Sequence, residues 1–245
     1  MRLDQLLFQR GLFPSREKAR RAVMAGLVRV DGQRVDKPGT PAADDCDLTV
    51  DGPREPFVSR AGRKLAAALD HFEIAPAGKV CLDVGASTGG FTDCLLQRGA
   101  QRVYALDVGY GQLDFSLRSD PRVVVMERRN ARHLAPEDLP EPCDLITFDV
   151  SFISLTKVVP ALLAHLACDG RLLPLIKPQF EAGREQVGKG GIVRDPVVRR
   201  EVIDRRIADL KGLGLRALGS LDSPVPGVGG NREALALFEH AGDPA

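Results

Sequence analysis

Two hydrophobic periods alternate along this chain, and its opening segment already contains both. Leu3, Leu6, Leu7 and Arg10 stand at helical spacing, and Gly11 ends that helix. A second helix is predicted after Ser15, which is placed to cap it. Ala19, Ala22 and Val23 form its apolar stripe, and Gly26 suits the left-handed position beyond its end. Leu27 to Val30 and Gln33 to Val35 then alternate apolar with polar around Asp31-Gly32, the mark of a two-residue hairpin turn. Helix, helix and hairpin together make a small α+β unit.

From Lys79 onward the pattern is different. Apolar runs at Lys79 to Gly85, Arg102 to Asp107, Val123 to Met126, Leu145 to Asp149 and Arg171 to Ile176 read as buried strands. Helical stripes accompany them, with Leu65, Leu69 and Phe72 in one and Phe91 to Arg98 in another. Such a sequence predicts an α/β domain of mainly parallel strands with helices on both faces. Between Pro38 and Pro56 the chain is rich in Pro, Gly and Asp, interrupted by the strand-like Asp47 to Val50. The expected division is therefore a first domain over 1–50, a linker over 51–58 and a second domain over 59–245.

Composition narrows the possibilities. With 44% hydrophobic and 27% charged residues the chain is an ordinary globular protein, and no apolar run has the length of a membrane span. The first ten residues lack the apolar core of a signal peptide, so a cytoplasmic protein without membrane partners is expected. Five scattered cysteines form no C-x-x-C pair, and the four histidines are equally dispersed, which supports neither a disulfide framework nor a metal site. The net charge is only +1, but residues 1–41 hold nine basic side chains against four acidic ones. A basic surface of that kind suits an anionic partner.

Candidate chemistry gathers at predicted strand ends. Asp83-Val84-Gly85 runs into Ala86-Ser87-Thr88-Gly89-Gly90 and then into the helix carrying Phe91 and Thr92, a strand, glycine turn and helix that let backbone approach a ligand. A dinucleotide fingerprint needs glycine where Ser87 stands, so pyrophosphate binding is disfavoured. Asp107 closes the next strand, where an acid holds a ribose diol in such folds. Asp149 and Lys177 end two later strands and offer a carboxylate and an amine to one crevice. Gly183 to Gly190 nearly matches a P-loop but lacks the final hydroxyl, the preceding strand and the following helix. It reads better as a basic loop, with Arg184 and Lys189 available to RNA.

Three resemblances sharpen this picture. The segment from Arg2 to Gly32 resembles the S-four-type RNA-binding domain, which implies that Arg16, Arg20, Arg21 and Arg29 face structured RNA. Asp83-Val84-Gly85-Ala86-Ser87-Thr88-Gly89-Gly90-Phe91-Thr92 resembles the first motif of S-adenosylmethionine-dependent methyltransferases in its FtsJ-like form. That resemblance places Asp83, Gly85, Ser87, Gly89, Gly90, Phe91 and Thr92 around the methionine end of the cofactor, Asp107 on its ribose and Asn130 near adenine.

Lys64, Asp149, Lys177 and Glu233 match the Lys-Asp-Lys-Glu tetrad of FtsJ-like ribose 2′-O-methyltransferases. With F-V-S-R-A-G-x-K-L, F-D-V-S-F-I-S, I-K-P-Q-F-E and G-N-x-E, the whole chain resembles the TlyA family, also called hemolysin A. The resemblance implies a Rossmann-like class I methyltransferase domain, S-adenosylmethionine as cofactor, and cytidine in ribosomal RNA or ribosomal subunits as substrate. Lys177 then acts as base, oriented by Asp149, with Lys64 as the neighbouring cation and Glu233 balancing the pair. Two other readings stay open on sequence alone: a non-catalytic ribosome-assembly protein on the same fold, and a membrane-lytic hemolysin.

Overall fold

The computed structural model describes residues 1–13, 15–51 and 55–241, and in it the apolar stripes of the opening segment are buried stripes. Leu3, Leu6 and Leu7 line the inner face of α1 (Leu3–Gln9), and Ala19, Ala22 and Val23 that of α2 (Arg16–Met24). Ser15 caps α2 by accepting the Lys18 N–H at 3.2 Å. Asp31 and Gly32 adopt left-handed φ values of 50° and 78°. That backbone closes a two-residue hairpin, so β1 (Val28–Val30) and β2 (Gln33–Val35) pair antiparallel. The other edge of β1 takes β3 (Leu48–Val50), giving a sheet ordered β2-β1-β3.

The chain separates into two units, Met1–Arg54 and Glu55–Ala245. The stretch expected as linker is shared between them. Residues 52–54 lie outside the described residues, as do 242–245, whereas Phe57 packs on the second unit's core and the Val58 N–H donates to Asp93 at 2.7 Å.

The second unit is built on one sheet. After α3 (Ala61–His71) come β4 (Val80–Val84), α4 (Gly90–Gln97), β5 (Arg102–Leu106), the short α5 (Phe115–Arg118), β6 (Val123–Met126) and β7 (Cys143–Phe148). There follow α6 (Val159–Leu162), β8 (Leu166–Ile176), α7 (Pro178–Glu181), α8 (Pro196–Lys211), β9 (Leu215–Asp222) and β10 (Ala234–His240). The strand order is β6-β5-β4-β7-β8-β10-β9. All neighbours from β6 to β8 run parallel, while β10 is antiparallel to both β8 and β9.

Alternation along the strands sends Leu82, Tyr104, Leu106 and Ile146 to one face and Cys81, Val103, Ala105 and Leu145 to the other. Val159 and Leu162 of α6 with Ile203 and Leu210 of α8 cover the first face. Leu65 and Leu69 of α3 with Phe91 and Leu95 of α4 cover the second. This is the Rossmann-like arrangement with helices on both faces. Because β4 lies between β5 and β7, the chain crosses away from it in opposite directions, and a crevice opens at the carboxyl ends of these strands.

Candidate active site

Gly85 sets the shape of the crevice. It follows β4 with φ of 85°, and a Cβ there would stand 2.8 Å from the Asp149 carbonyl oxygen. Only glycine allows the ends of β4 and β7 to approach so closely. Ser87, also left-handed at φ 49°, donates its backbone N–H to Asp107 Oδ2 at 2.8 Å, and Gly109 N–H donates to Asp107 Oδ1 at 2.6 Å. Each carboxylate oxygen has capacity for a further hydrogen bond.

These residues border a cleft of 430 Å³ whose polar wall includes Gly85, Ser87, Asp107, Asn130 and Asp149 and whose apolar wall includes Val108 and Ile153. The Asn130 side-chain oxygen accepts the Arg132 N–H at 3.1 Å, which fixes that side chain at the cleft.

Asp83 and Thr92 are fully buried and line neither this cleft nor the neighbouring cavity. Asp83 Oδ2 accepts the Thr92 N–H at 2.9 Å and the Thr92 hydroxyl at 2.7 Å, joining β4 to α4 beneath the glycine turn. Gly89 is the left-handed N-cap of α4, at φ 95°, and packs against Leu117 and Leu113. Gly90 and Phe91 line the smaller cavity.

Burial lifts the Asp83 carboxyl from 3.8 to about 7, against the pull of the Thr92 hydrogen bonds. The folded chain therefore holds this proton more tightly than the unfolded one. Between those two values the group's contribution to stability declines as pH rises, and it levels off above about 7. Asp83→Asn keeps an acceptor for Thr92 and removes the titration. Its melting temperature should lack the part of the decline that wild type shows across this window, as scanning calorimetry at several pH values will report. Parallel curves for the two proteins would exclude this assignment.

The four charged residues singled out in the sequence converge. Lys64 from α3, Asp149 after β7, Lys177 after β8 and Glu233 before β10 all line one cavity of 220 Å³. Lys177 Nζ lies 2.6 Å from Asp149 Oδ1, and Lys64 Nζ lies 2.6 Å from Glu233 Oε2. Both lysines and Glu233 are buried, so each charge depends on its partner. Two side chains that sequence reasoning missed complete the set. Lys177 Nζ donates to Ser151 Oγ at 3.0 Å, and Gln179 Nε2 donates to Glu233 Oε1 at 3.0 Å. Neighbouring polar residues of this kind carry no spacing signature. Gly85, Ser87, Asp149 and Ser151 border both the cavity and the larger cleft, so the two spaces meet there.

The loop carrying Asp149 is held from behind. Glu181 Oε1 accepts the Leu155 N–H at 2.9 Å. Arg206 Nε on α8 lies 2.8 Å from Glu181 Oε2, as an ion pair whose angle falls outside hydrogen-bond geometry. Burial pushes the Glu181 carboxyl up, and the Leu155 N–H and Arg206 draw it back. In front of this loop Phe152, at φ 63° and 90% exposed, leans on Phe180 with ring centroids 4.8 Å apart.

The basic residues of the first unit are less free than their exposure suggests. Arg16 donates to the buried Asp4 at 3.0 Å, Arg21 pairs with Glu17 at 2.6 Å, and Arg29 pairs with Asp51 at 2.8 Å. Burial pushes the Asp4 carboxyl up, but hydrogen bonds from Arg2 and Arg16 outweigh it and hold the carboxyl low. Arg20 is exposed and has no ion pair among the described residues. It borders an open groove with Arg2, Arg16 and Lys37.

Arg184 and Lys189 are exposed on either side of a bridge-forming loop, Arg184 in a short 3-10 turn and Lys189 beside the Gly188–Ile192 bridge. No phosphate-binding strand-loop-helix forms there. Among the described residues no group of His, Cys, Asp and Glu is arranged to hold a metal ion. Burial pushes the Cys81, Cys94 and Cys143 thiols up to about 12, so none of the three is a ready nucleophile.

Comparison with known proteins agrees with this geometry. The FtsJ-like methyltransferase family matches residues 57–239, and the S4 domain matches residues 1–43. The chain is 50% identical over 234 residues to the 16S/23S rRNA (cytidine-2′-O)-methyltransferase TlyA of Mycobacterium tuberculosis, covering 95% of this chain and 87% of that protein. It is 43% identical over 239 residues to Hemolysin A of Brachyspira hyodysenteriae, covering 97% and 99% of the two. A solved Streptococcus thermophilus structure, titled as a hemolysin, superposes with TM-score 0.79 at 44% identity, covering all of this chain and 90% of that one. Strand order, convergent charges and sequence identity lead to one conclusion: the chain belongs to the FtsJ-like methyltransferase family, in the TlyA group that joins such a domain to an S4 domain.

Proposed function

We propose that this chain transfers the methyl group of S-adenosylmethionine to the 2′-hydroxyl of cytidine in ribosomal RNA, and does so in the cytoplasm. The observation that supports the reading best is the meeting of two cavities at Asp149 and Ser151, one fitted to a nucleoside and the other lined by all four members of the tetrad.

The larger cleft fits the cofactor. Asp107 is the acid available to the ribose diol, Asn130 to the adenine, and Gly85, by letting the ends of β4 and β7 meet, shapes the part of the cleft beside Asp149 where the methionine end would lie. Ser87 borders that end and Gly90 and Phe91 the adjoining smaller cavity, while Gly89, Asp83 and Thr92 act from below by fixing the glycine turn. When bound, the cofactor supplies an activated methyl on a sulfonium.

The protein's part is orientation and proton removal. Lys177 would take up the hydroxyl proton while the cofactor held in the larger cleft supplied the methyl group. Asp149 and Ser151 aim its Nζ, and Lys64, neutralised by Glu233, keeps a second cation beside it. Holding the two reactants in line contributes more than the proton transfer, since orientation removes about 7–11 kcal/mol from such barriers.

Arg16, Arg20, Arg21 and Arg29 of the S4 domain, with Arg184 and Lys189, are assigned to RNA phosphates. On binding, Arg16, Arg21 and Arg29 exchange or share the carboxylates that hold them now. Two relatives carry a hemolysin name; among the described residues no helix is long and apolar enough to cross a membrane.

Mass spectrometry of nucleosides from ribosomal RNA incubated with the chain and S-adenosylmethionine tests the proposal. A new 2′-O-methylcytidine signal is expected. A methyl group on a base, or no transfer to RNA or ribosomal subunits, would overturn it.

A further inference from the structure

The start of α3 faces two cavities. Beyond Lys64 from the tetrad cavity lies a second space of 200 Å³, bounded by Ser59, Arg60 and Lys64 on one side and by Pro226 and Gly227 on the other. Ser59, Ala61 and Lys64 belong to the walls of both spaces, which makes them neighbours across one lysine. Arg60 and Lys64 stand four residues apart and so share a helix face. Their charges differ in availability. Lys64 is neutralised by Glu233 at 2.6 Å, and the nearby Arg63 is engaged by Glu55 at 3.4 Å. The exposed Arg60 guanidinium has neither a hydrogen bond nor an ion pair among the described residues, and the first turn of α3 contains no acid. The second space therefore carries an uncompensated positive charge beside the tetrad cavity.

We propose that this space holds the phosphodiester on the 3′ side of the ribose being methylated, with Arg60 as its main ligand. The inference rests on the ribose-methylation reading above. In RNA the carbon bearing the 2′-hydroxyl adjoins the carbon whose oxygen carries the 3′ phosphate. A nucleotide that presents its 2′-oxygen to Lys177 must therefore place an anion only a few bonds away. A guanidinium presents two parallel N–H donors to two non-bridging oxygens, a match that a lone ammonium cannot make. Such a contact sets the register of the strand and leaves base identity to other groups. Arg60 is thus a binding residue for the substrate backbone, separate from the proton transfer.

The test compares Arg60→Ala with Arg63→Ala, using transcribed ribosomal RNA and ribosomal subunits that lack the methyl group. Arg60→Ala should raise KM for RNA about ten-fold, the loss of one charge-assisted contact, with kcat retained. The slope of log affinity against log salt should flatten by about 0.7–0.9, as for one phosphate contact. Arg63→Ala should change neither, and calorimetry should show unaltered S-adenosylmethionine affinity in both variants. Unchanged KM and salt slope in Arg60→Ala, while the unsubstituted chain methylates RNA, would refute the phosphate site. So would a parallel loss of cofactor affinity, which marks a structural role. If the unsubstituted chain transfers no methyl to RNA, the ribose-methylation reading itself falls and takes this proposal with it.

Discussion

Replacing Lys177 with alanine lowers methyl transfer by about 10²- to 10⁴-fold, the usual share of a positioned proton acceptor, and leaves S-adenosylmethionine affinity intact. Lys177 borders the tetrad cavity and is absent from the walls of the larger cleft, so its loss falls on the hydroxyl and spares the nucleoside site. Lys177→Arg is the sharper variant. Arginine restores the positive charge opposite Asp149 but stays protonated in proteins, so it cannot take a proton. Single-turnover kinetics with saturating RNA, set beside calorimetric cofactor binding, separate the two effects. An Arg variant that retains activity would make Lys177 an electrostatic partner and move the base elsewhere.

The largest effect on stability should come from Glu181 and Arg206. Glu181→Leu leaves the buried Arg206 with only the more exposed Asp209, 2.7 Å away, as counter-charge, and the loss should be a part of the about 3–5 kcal/mol that stripping a buried charge of all its partners costs. Glu181→Leu combined with Arg206→Met replaces both charges by apolar groups of similar size, and denaturant unfolding should show most of the loss recovered. Turnover should stay low in the double variant, because the Leu155 N–H still lacks its acceptor and the loop bearing Asp149 and Ser151 is no longer held. Glu181→Gln, which can still accept that N–H, should recover turnover relative to Glu181→Leu. If kcat follows stability through all three variants, the pair supports the fold and has no separate part in placing the Asp149 loop.

Local features were the legible ones. The hairpin at Asp31-Gly32, the Ser15 cap and the β4-turn-α4 unit each depend on a few adjacent residues, and their periodicity or turn chemistry is visible in any short window. Lys64 and Glu233 are 169 residues apart. Nothing local joins them, and only resemblance to a known family placed them together. The long β8 shows the opposite limit. The apolar run suggests a strand from Arg171, but the strand starts at Leu166, where the Cys143–Leu166 pairing extends it across a register shift.

Arg206 was invisible for a related reason. A buried arginine inside a charged helix reads as one more solvated side chain until its partner on α7 is known. Asp4 likewise looked like an ordinary acid within a basic segment, yet it is buried and binds Arg2 and Arg16. Charge counting alone overstated how many cations of the first unit stand free.

The reversed direction of β10 has a consequence for how Lys64 is partnered. The five parallel strands deliver their side chains to the crevice from their carboxyl ends, but β10 enters the sheet the other way, so Glu233 arrives from the end at which that strand begins. The counter-charge of Lys64 is thus set by the register of β10 on β8, in which Ala234 stands opposite Ile176, and a slip of one residue would turn Glu233 away from the lysine.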